Sequence, residues 1–170
     1  MHRRMLISAG VIAAAGLCAP VARADGPPAA AEVTVTVSAA LQSKREDIGE
    51  RDLDELRADL KDTVTRALAR HQGGAIHPTR VALVIEDAKA NRPTFAEMAR
   101  RPGLSMQSIS LGGAKVTGQV TGADGKVRPL SVSYYSTTLY DVIASTTWSD
   151  AYRAFDRVGD AVVTGRLDQR

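Results

Sequence analysis

Residues 79–87 read TRVALVIED. Val81, Leu83 and Ile85 alternate with Ala82 and Val84, so this segment is apolar on both of its faces. A short run of that kind, rich in β-branched residues, predicts a strand, and a strand apolar on both sides belongs inside a sheet. Working back from it, residues 32–41 (EVTVTVSAAL) alternate cleanly, with Val33, Val35 and Val37 on one side and Thr34, Thr36 and Ser38 on the other. That is the pattern of a half-buried strand. Polar residues 42–49 predict a loop.

Between the two strands the period changes from 2 to 3.6 residues. Leu53, Leu56, Leu60, Val64, Ala67 and Leu68 form one apolar stripe, which predicts an amphipathic helix over 52–71. Asp52 and Glu55 match an acidic variant of the capping box. Asp62 and Arg66 have the spacing of an outer-face ion pair worth about 0.2–0.5 kcal/mol. Gly73 and Gly74 would end the helix by allowing positive φ.

After the second strand, Pro93 and Thr94 open a short helical turn to about residue 100, with Phe95 and Met98 as anchors and Pro102-Gly103 as its stop. Residues 105–140 predict a long antiparallel hairpin turning at Asp124-Gly125. Val116 and Val120 alternate with Thr117, Gln119 and Thr121 before the turn, and Leu130, Val132 and Tyr134 with Ser131, Ser133 and Tyr135 after it. Gly112-Gly113 predicts a bulge or bend, and Pro129 predicts an edge position. A last helix is expected over 149–167, capped by Thr147 or Ser149, with Asp150 near its positive end. Trp148, Ala151, Tyr152, Phe155, Val158 and Val162 form its apolar face. Gly159 within it costs about 1 kcal/mol against Ala, which a close approach to the sheet would explain. Residues from Val163 onward are expected to fray. The predicted fold class is α+β: two layers, about four mainly antiparallel strands, and two main helices packed on one face. It forms a single domain over residues 32–167.

The first 24 residues predict where the protein works. Arg3 and Arg4 precede an apolar run over 5–19 and an Ala22-Arg23-Ala24 cleavage signature, the layout of a secretory signal peptide. The run of about 15 residues is short of the roughly 20 that span a bilayer. Cleavage after Ala24 would leave 146 residues, with a flexible spacer over 25–31 and no membrane span, delivered to the periplasm or secreted. His2-Arg3-Arg4-Met5-Leu6-Ile7 resembles a degenerate twin-arginine signal, but the short charged region favours the general secretion route. The leader carries three of the 22 basic residues and none of the 19 acids, so the exported chain balances at 19 to 19. The basic pI near 9.2 belongs to the precursor and gives no reason to expect nucleic acid as a partner. Arg100-Arg101 reads as a solvated loop.

Cys18, the one cysteine, lies in the leader, so the exported chain has no disulfide and no thiolate metal ligand. A lipobox would place a small residue directly before that cysteine, and Leu17 stands there. A domain of this length buries roughly 68–70% of its unfolded surface and is held by an ordinary core.

Reactive constellations find little support. Residues 112–118 (GGAKVTG) are glycine-rich but lead into a strand pattern, whereas a phosphate loop needs Gly-Lys-Ser/Thr ahead of a helix. His71 and His77 flank a glycine pair without the spacing of a metal site, and no G-x-S-x-G elbow is present. No catalytic, metal or cofactor-binding residue is assigned, and no cofactor is expected. An alternative reading is a small envelope hydrolase that uses scattered carboxylates, in which Glu86, Asp87 or Asp141 would converge with His71 or His77.

Residues 131–140 (SVSYYSTTLY) crowd hydroxyls and tyrosines onto one strand and its exit. Either Tyr134 and Trp148 belong to the core and the serines simply face water, or the strand is an edge that a peptide or subunit extends. On the second reading the candidate partner-binding residues are Ser133, Tyr135, Thr137 and Tyr140, and the partner is another envelope protein. The oligomeric state is left open.

Three stretches carry a resemblance: Val81 to Asp87 after an amphipathic helix, the hairpin turn from Gly122 to Val127, and Thr147 to Ala151 opening the last helix. In these the chain resembles small secreted bacterial envelope proteins of uncharacterised function. More faintly, it is similar to auxiliary lipoproteins of envelope ABC transporters, which also combine a sheet with packed helices. The first likeness implies an exported, non-enzymatic binding or assembly domain, and the second an accessory component of a transporter.

Overall fold

The segment TRVALVIED becomes the middle of strand β2 (Pro78–Lys89) in the computed structural model, which describes residues 30–71 and 76–169. The leader, most of the spacer and the Gly73-Gly74 helix stop lie outside the described residues. β2 is flanked on both sides, by β1 (Glu32–Val37) and by β3 (Gly113–Gly122). Beyond β3 come β4 (Val127–Tyr135) and a two-residue β5 (Asp168–Gln169), giving a five-stranded sheet in the order β1-β2-β3-β4-β5.

The sheet corrects the expected four mainly antiparallel strands. β2–β3 and β3–β4 are antiparallel, but β1 runs parallel to β2 and β4 parallel to β5. The cause lies in the connections: a parallel neighbour needs a long crossover, and each outer strand is reached through a helix. Helix α3 (Glu50–Arg70) joins β1 to β2, and α5 (Ser149–Thr164) joins β4 to β5. The C-terminal residues expected to fray supply β5, with Leu167 buried and its carbonyl accepting from the Ser131 amide. Gly165 turns the chain out of α5 at φ 76°.

Both long helices cover the same face. α3 lies along β1, α5 lies over β3 and β4, and the two helices pack on each other. The predicted stripe of α3 is buried at Leu53, Leu56, Leu60, Val64 and Ala67. It meets Val81, Leu83 and Ile85 of β2, Val116 and Val120 of β3, Leu130 and Val132 of β4, and Phe155 and Val158 of α5. Each such side chain contributes roughly 1.5–3 kcal/mol on leaving water. Gly159 serves the helix pair and not, as expected, the sheet: a β-carbon there would stand 3.2 Å from Ala67 Cβ.

Among the described residues no helix covers the other face of the sheet. Thr34 and Thr36 are exposed, and Ala82, Val84, Thr117, Ser131 and Ser133 are half-buried. β2 is therefore internal by pairing but covered on one side only.

Local chemistry changes several boundaries. β1 stops at Val37 because Ser38 caps a short helix α1 (Ala39–Gln42), its Oγ accepting from the Leu41 amide at 3.1 Å. The expected loop over 42–49 contains α2 (Arg45–Ile48). α3 begins after Gly49 without a side-chain cap, so the capping box predicted at Asp52 does not form. Arg66 donates to the Asp62 backbone carbonyl, not to its carboxylate. Thr94 caps α4 (Phe95–Arg100) as its sequence position implied, but Phe95 is 78% exposed and anchors nothing. Pro93 and Thr94 are buried in its place, and Thr94 Oγ1 donates to the Asp47 carbonyl. Strand pairing begins only at Gly113, so residues 105–112 form a turn at Met106-Gln107 and irregular chain instead of strand, and the register shifts fall in β2. The Asp124-Gly125 turn forms as predicted, with Gly125 at φ 72° and Asp124 Oδ1 accepting from the Lys126 amide.

Candidate functional site

The loops at one end of the sheet, where β2 and β4 finish and β3 and α5 begin, are tied down by buried polar groups. Asn91 follows β2 and is fully buried, as is Asp150 in the first turn of α5. The Asn91 Nδ2 donates to Asp150 Oδ2 at 2.5 Å, and Asn91 Oδ1 accepts from the Asp150 amide at 2.9 Å. This side chain thus caps α5 from another segment, which is why neither Thr147 nor Ser149 does so. The Asn91 backbone continues the tie, donating to the Thr147 carbonyl and accepting from Ser110. Arg153 completes the pair, donating to Asp150 Oδ1 at 2.8 Å.

Arg92 does for the loops what Asn91 does for the helix. Its guanidinium donates to the carbonyls of Ser145, Met106 and Ile143 at 2.6, 2.7 and 2.7 Å. One fork therefore spans the segment before β3 and the segment after β4. A third tie joins Gly112 and Ser136: the Gly112 amide donates to Ser136 Oγ, and the Ser136 amide to the Gly112 carbonyl. Gly112 lies under the Asn91 amide, where a β-carbon would fall 2.5 Å from it.

These ties hold apolar side chains outward. Leu139, Tyr140 and Ile143 lie on or beside a 3₁₀ turn (Leu139–Val142) and are 51%, 84% and 58% exposed. Met106, Ile109 and Leu111, on the neighbouring segment, are also exposed. Leu111 borders a cleft of about 300 Å³ lined by Lys44, Asp47, Ile48, Lys89, Thr94 and Trp148, among others. Trp148 is buried as its sequence position implied, its Nε1 donating to Asp52 Oδ1.

The four residues singled out in the sequence separate into two places. Ser133 and Tyr135 lie on the uncovered face of the sheet, Thr137 is exposed beyond β4, and Tyr140 sits on the apolar loop end. Tyr135 is engaged within the fold: its hydroxyl donates to Asp87 Oδ2 at 3.0 Å, and Lys44 pairs with Asp87 Oδ1 at 3.0 Å. Lys89 Nζ stands 5.3 Å from the centre of the Tyr135 ring. Partial burial pushes the Asp87 carboxyl up, but the Lys44 and Tyr135 hydrogen bonds and the nearby ammonium charges outweigh it and hold it below the usual range. Burial first, and then the Asp87 carboxylate, push the Tyr135 phenol well above its ordinary value. At Pro129 no further strand lies outside β4 among the described residues, in keeping with the edge position expected there, but β5 pairs with β4 at Ser131 and Val132. Tyr134 is half-buried beneath the Arg157 guanidinium, 4.3 Å from the ring centre.

The hydrolytic set is not brought together. Glu86 accepts from Thr117, Asp87 is bound as described, and Asp141 accepts from Thr138 on the 3₁₀ turn. His71 closes α3, with its Nδ1 3.2 Å from the Ala67 carbonyl, and His77 immediately precedes β2. His77 is thus some nine residues along the strand from Glu86, roughly 30 Å. Among the described residues no three His, Cys, Asp or Glu side chains gather as metal ligands, and no helix is long and apolar enough to cross a membrane. Arg100 and Arg101 pair with Glu46, Asp47 and Glu97.

The residues that shape this end, Asn91, Arg92, Ser136 and Asp150, went unassigned in the sequence, or in the case of Asp150 were placed only by helix charge. The available signal was Asn-Arg-Pro directly after an apolar strand, polar residues where the chain turns back over the core. No protein-family model and no curated protein matches this chain.

Proposed function

We propose that this chain is an exported, non-enzymatic binding or assembly domain whose contact surface is the loop end carrying Leu139, Tyr140 and Ile143, and whose partner is another envelope protein. The observation behind this reading is that Arg92 fixes the Ile143 and Ser145 carbonyls of the segment that carries these side chains, and the Met106 carbonyl of the segment beside it. An apolar surface on pinned loops loses little conformational freedom on association, and a tyrosine with a wet tip suits an interface. Tyr135 is engaged with Asp87 on the sheet face, whereas Tyr140 is 84% exposed at the loop end.

The test is cross-linking in whole cells from a photoreactive residue at position 140, followed by mass spectrometry of the adduct. A specific partner is expected. Tyr140→Ala with Ile143→Ser should abolish its capture while leaving the thermal midpoint within about 2 °C, as surface changes do. Unchanged capture by that double variant would reject the surface. The same sample reports on export: a mature chain beginning at Asp25 supports it, and retention of the full leader opposes it.

A further inference from the structure

We infer that β1 is a self-association edge, and that two copies of this chain join through antiparallel β1–β1 pairing into one continuous ten-stranded sheet. β1 is the first strand of the sheet and, among the described residues, pairs with β2 alone. The phase of that pairing is fixed by the Ser38 amide, which donates to the Ile85 carbonyl. Successive residues of a strand direct their backbone groups to opposite sides. Even-numbered residues therefore face β2, and the amides and carbonyls of Val33, Val35 and Val37 point away from the sheet. Among the described residues nothing pairs with them.

Edge strands ordinarily carry a lysine, a proline or a bulge against such pairing. β1 has none of these; from Val33 to Val37 it reads VTVTV and is uncharged. It is also complementary to itself. A two-fold axis through Val35 sets Val35 against its own copy, Val33 against Val37, and Thr34 against Thr36. The valine pairs are then the hydrogen-bonded ones, on the helix side. The threonine pairs lie on the open face, where Thr–Thr pairs are favourable. Glu32, the one charge, falls opposite Ser38 and is already paired with Arg80.

The helix layer fits the same axis. The flank of α3 that meets α5 is marked by Asp52 bonding Trp148, Glu55 bonding Tyr152, and Ala67 against Gly159. Helical spacing places Asp54, Arg57, Lys61 and Leu68 on the opposite flank, toward the outside of β1. Asp54 and Arg57 pair with each other on this flank, so it brings little uncompensated charge to the axis. Val35, Val37 and Leu68 are only partly buried in the single chain, and the second copy would cover them.

Light scattering and sedimentation of the purified protein at about 100 μM, above a micromolar Kd, should give twice the chain mass. Thr34→Lys with Thr36→Lys places two lysine pairs across the axis at positions exposed in the single chain. Dissociation should strengthen by about tenfold or more. Hydrogen exchange separates this edge from any other dimer. The amides of Val33, Val35 and Val37 should be protected in the wild type and exchange freely in the variant. Those of Thr34 and Thr36, held by β2, should stay protected in both, which also shows that the variant is folded. A single-chain mass for the wild type overturns the inference. So does a double mass with rapidly exchanging Val35, or one that the lysines leave unchanged. The photo-cross-linking at position 140 reads a different surface, so either result stands without the other.

Discussion

Replacing Asn91 by alanine should cost about 3–5 kcal/mol, far more than its small side chain would suggest. The reasoning runs through Asp150. Its carboxylate is fully buried and held by Asn91 Nδ2 at 2.5 Å and Arg153 at 2.8 Å, while its amide is capped by Asn91 Oδ1 at 2.9 Å. The alanine leaves the carboxylate short of one donor and the first turn of α5 without an acceptor. A buried polar group stripped of its partner costs about 1–3 kcal/mol, more when charged. Loss of a helix cap costs about 0.5–2 kcal/mol. Against a total stability of about 5–15 kcal/mol this is a large fraction, and it should lower the thermal midpoint by roughly 10–15 °C. Urea titrations of Asn91→Ala, Asp150→Ala and the double variant would measure it. The two residues act on each other, so the double variant should be at least about 1 kcal/mol more stable than additivity predicts. A single-variant cost below about 1 kcal/mol, or strict additivity, would show that the pair does not hold this end of the fold together.

Gly118 allows a second check. A β-carbon there would lie 2.2 Å from the Ala82 carbonyl oxygen in the adjacent strand, so Gly118→Ala should force the strands apart and cost about 1–3 kcal/mol; a neutral urea midpoint would contradict the packing described. The Asp87 carboxyl titrates below the ordinary aspartate value, so its contribution is complete above about pH 4 and is lost as pH falls through the lower folded-state value. Asp87→Asn should flatten the fall of the urea midpoint below about pH 4, and an unaltered slope would mean that Lys44 and Tyr135 do not stabilise the charge.

What the sequence disclosed is what periodicity can carry. The stripe of α3, the alternation of β2, the β3–β4 hairpin and the apolar face of α5 all follow from spacing, because one buried face imposes period 2 or 3.6 on whatever folds. Strand direction is not written that way. Val33, Val35 and Val37 alternate identically whether β1 runs with β2 or against it, and Asp168-Gln169 has no pattern that marks it as a strand. The loop end was hidden for a related reason. Asn91, Arg92 and Asp150 look like ordinary solvent-facing residues in a linear chain, and only the fold brings the segments around 91, 106, 112, 136, 145 and 150 to one place. Phe95 misled in the opposite sense, since an aromatic in a helical turn reads as an anchor, while Pro93 and Thr94 take the interior and leave the ring outside.

The two crossovers also set the order in which the molecule assembles. β3 and β4 are separated by four turn residues, and β2 reaches β3 across a modest span, so the central three strands close at small entropic expense. β1 must wait for a partner some 40 residues away, with α3 formed between them. β5 cannot register until α5 has docked. Assembly from the middle outward leaves the two margins as the last parts to zip and the first to peel, so mechanical pulling on either terminus should unravel a border strand before it disturbs the meander at the centre.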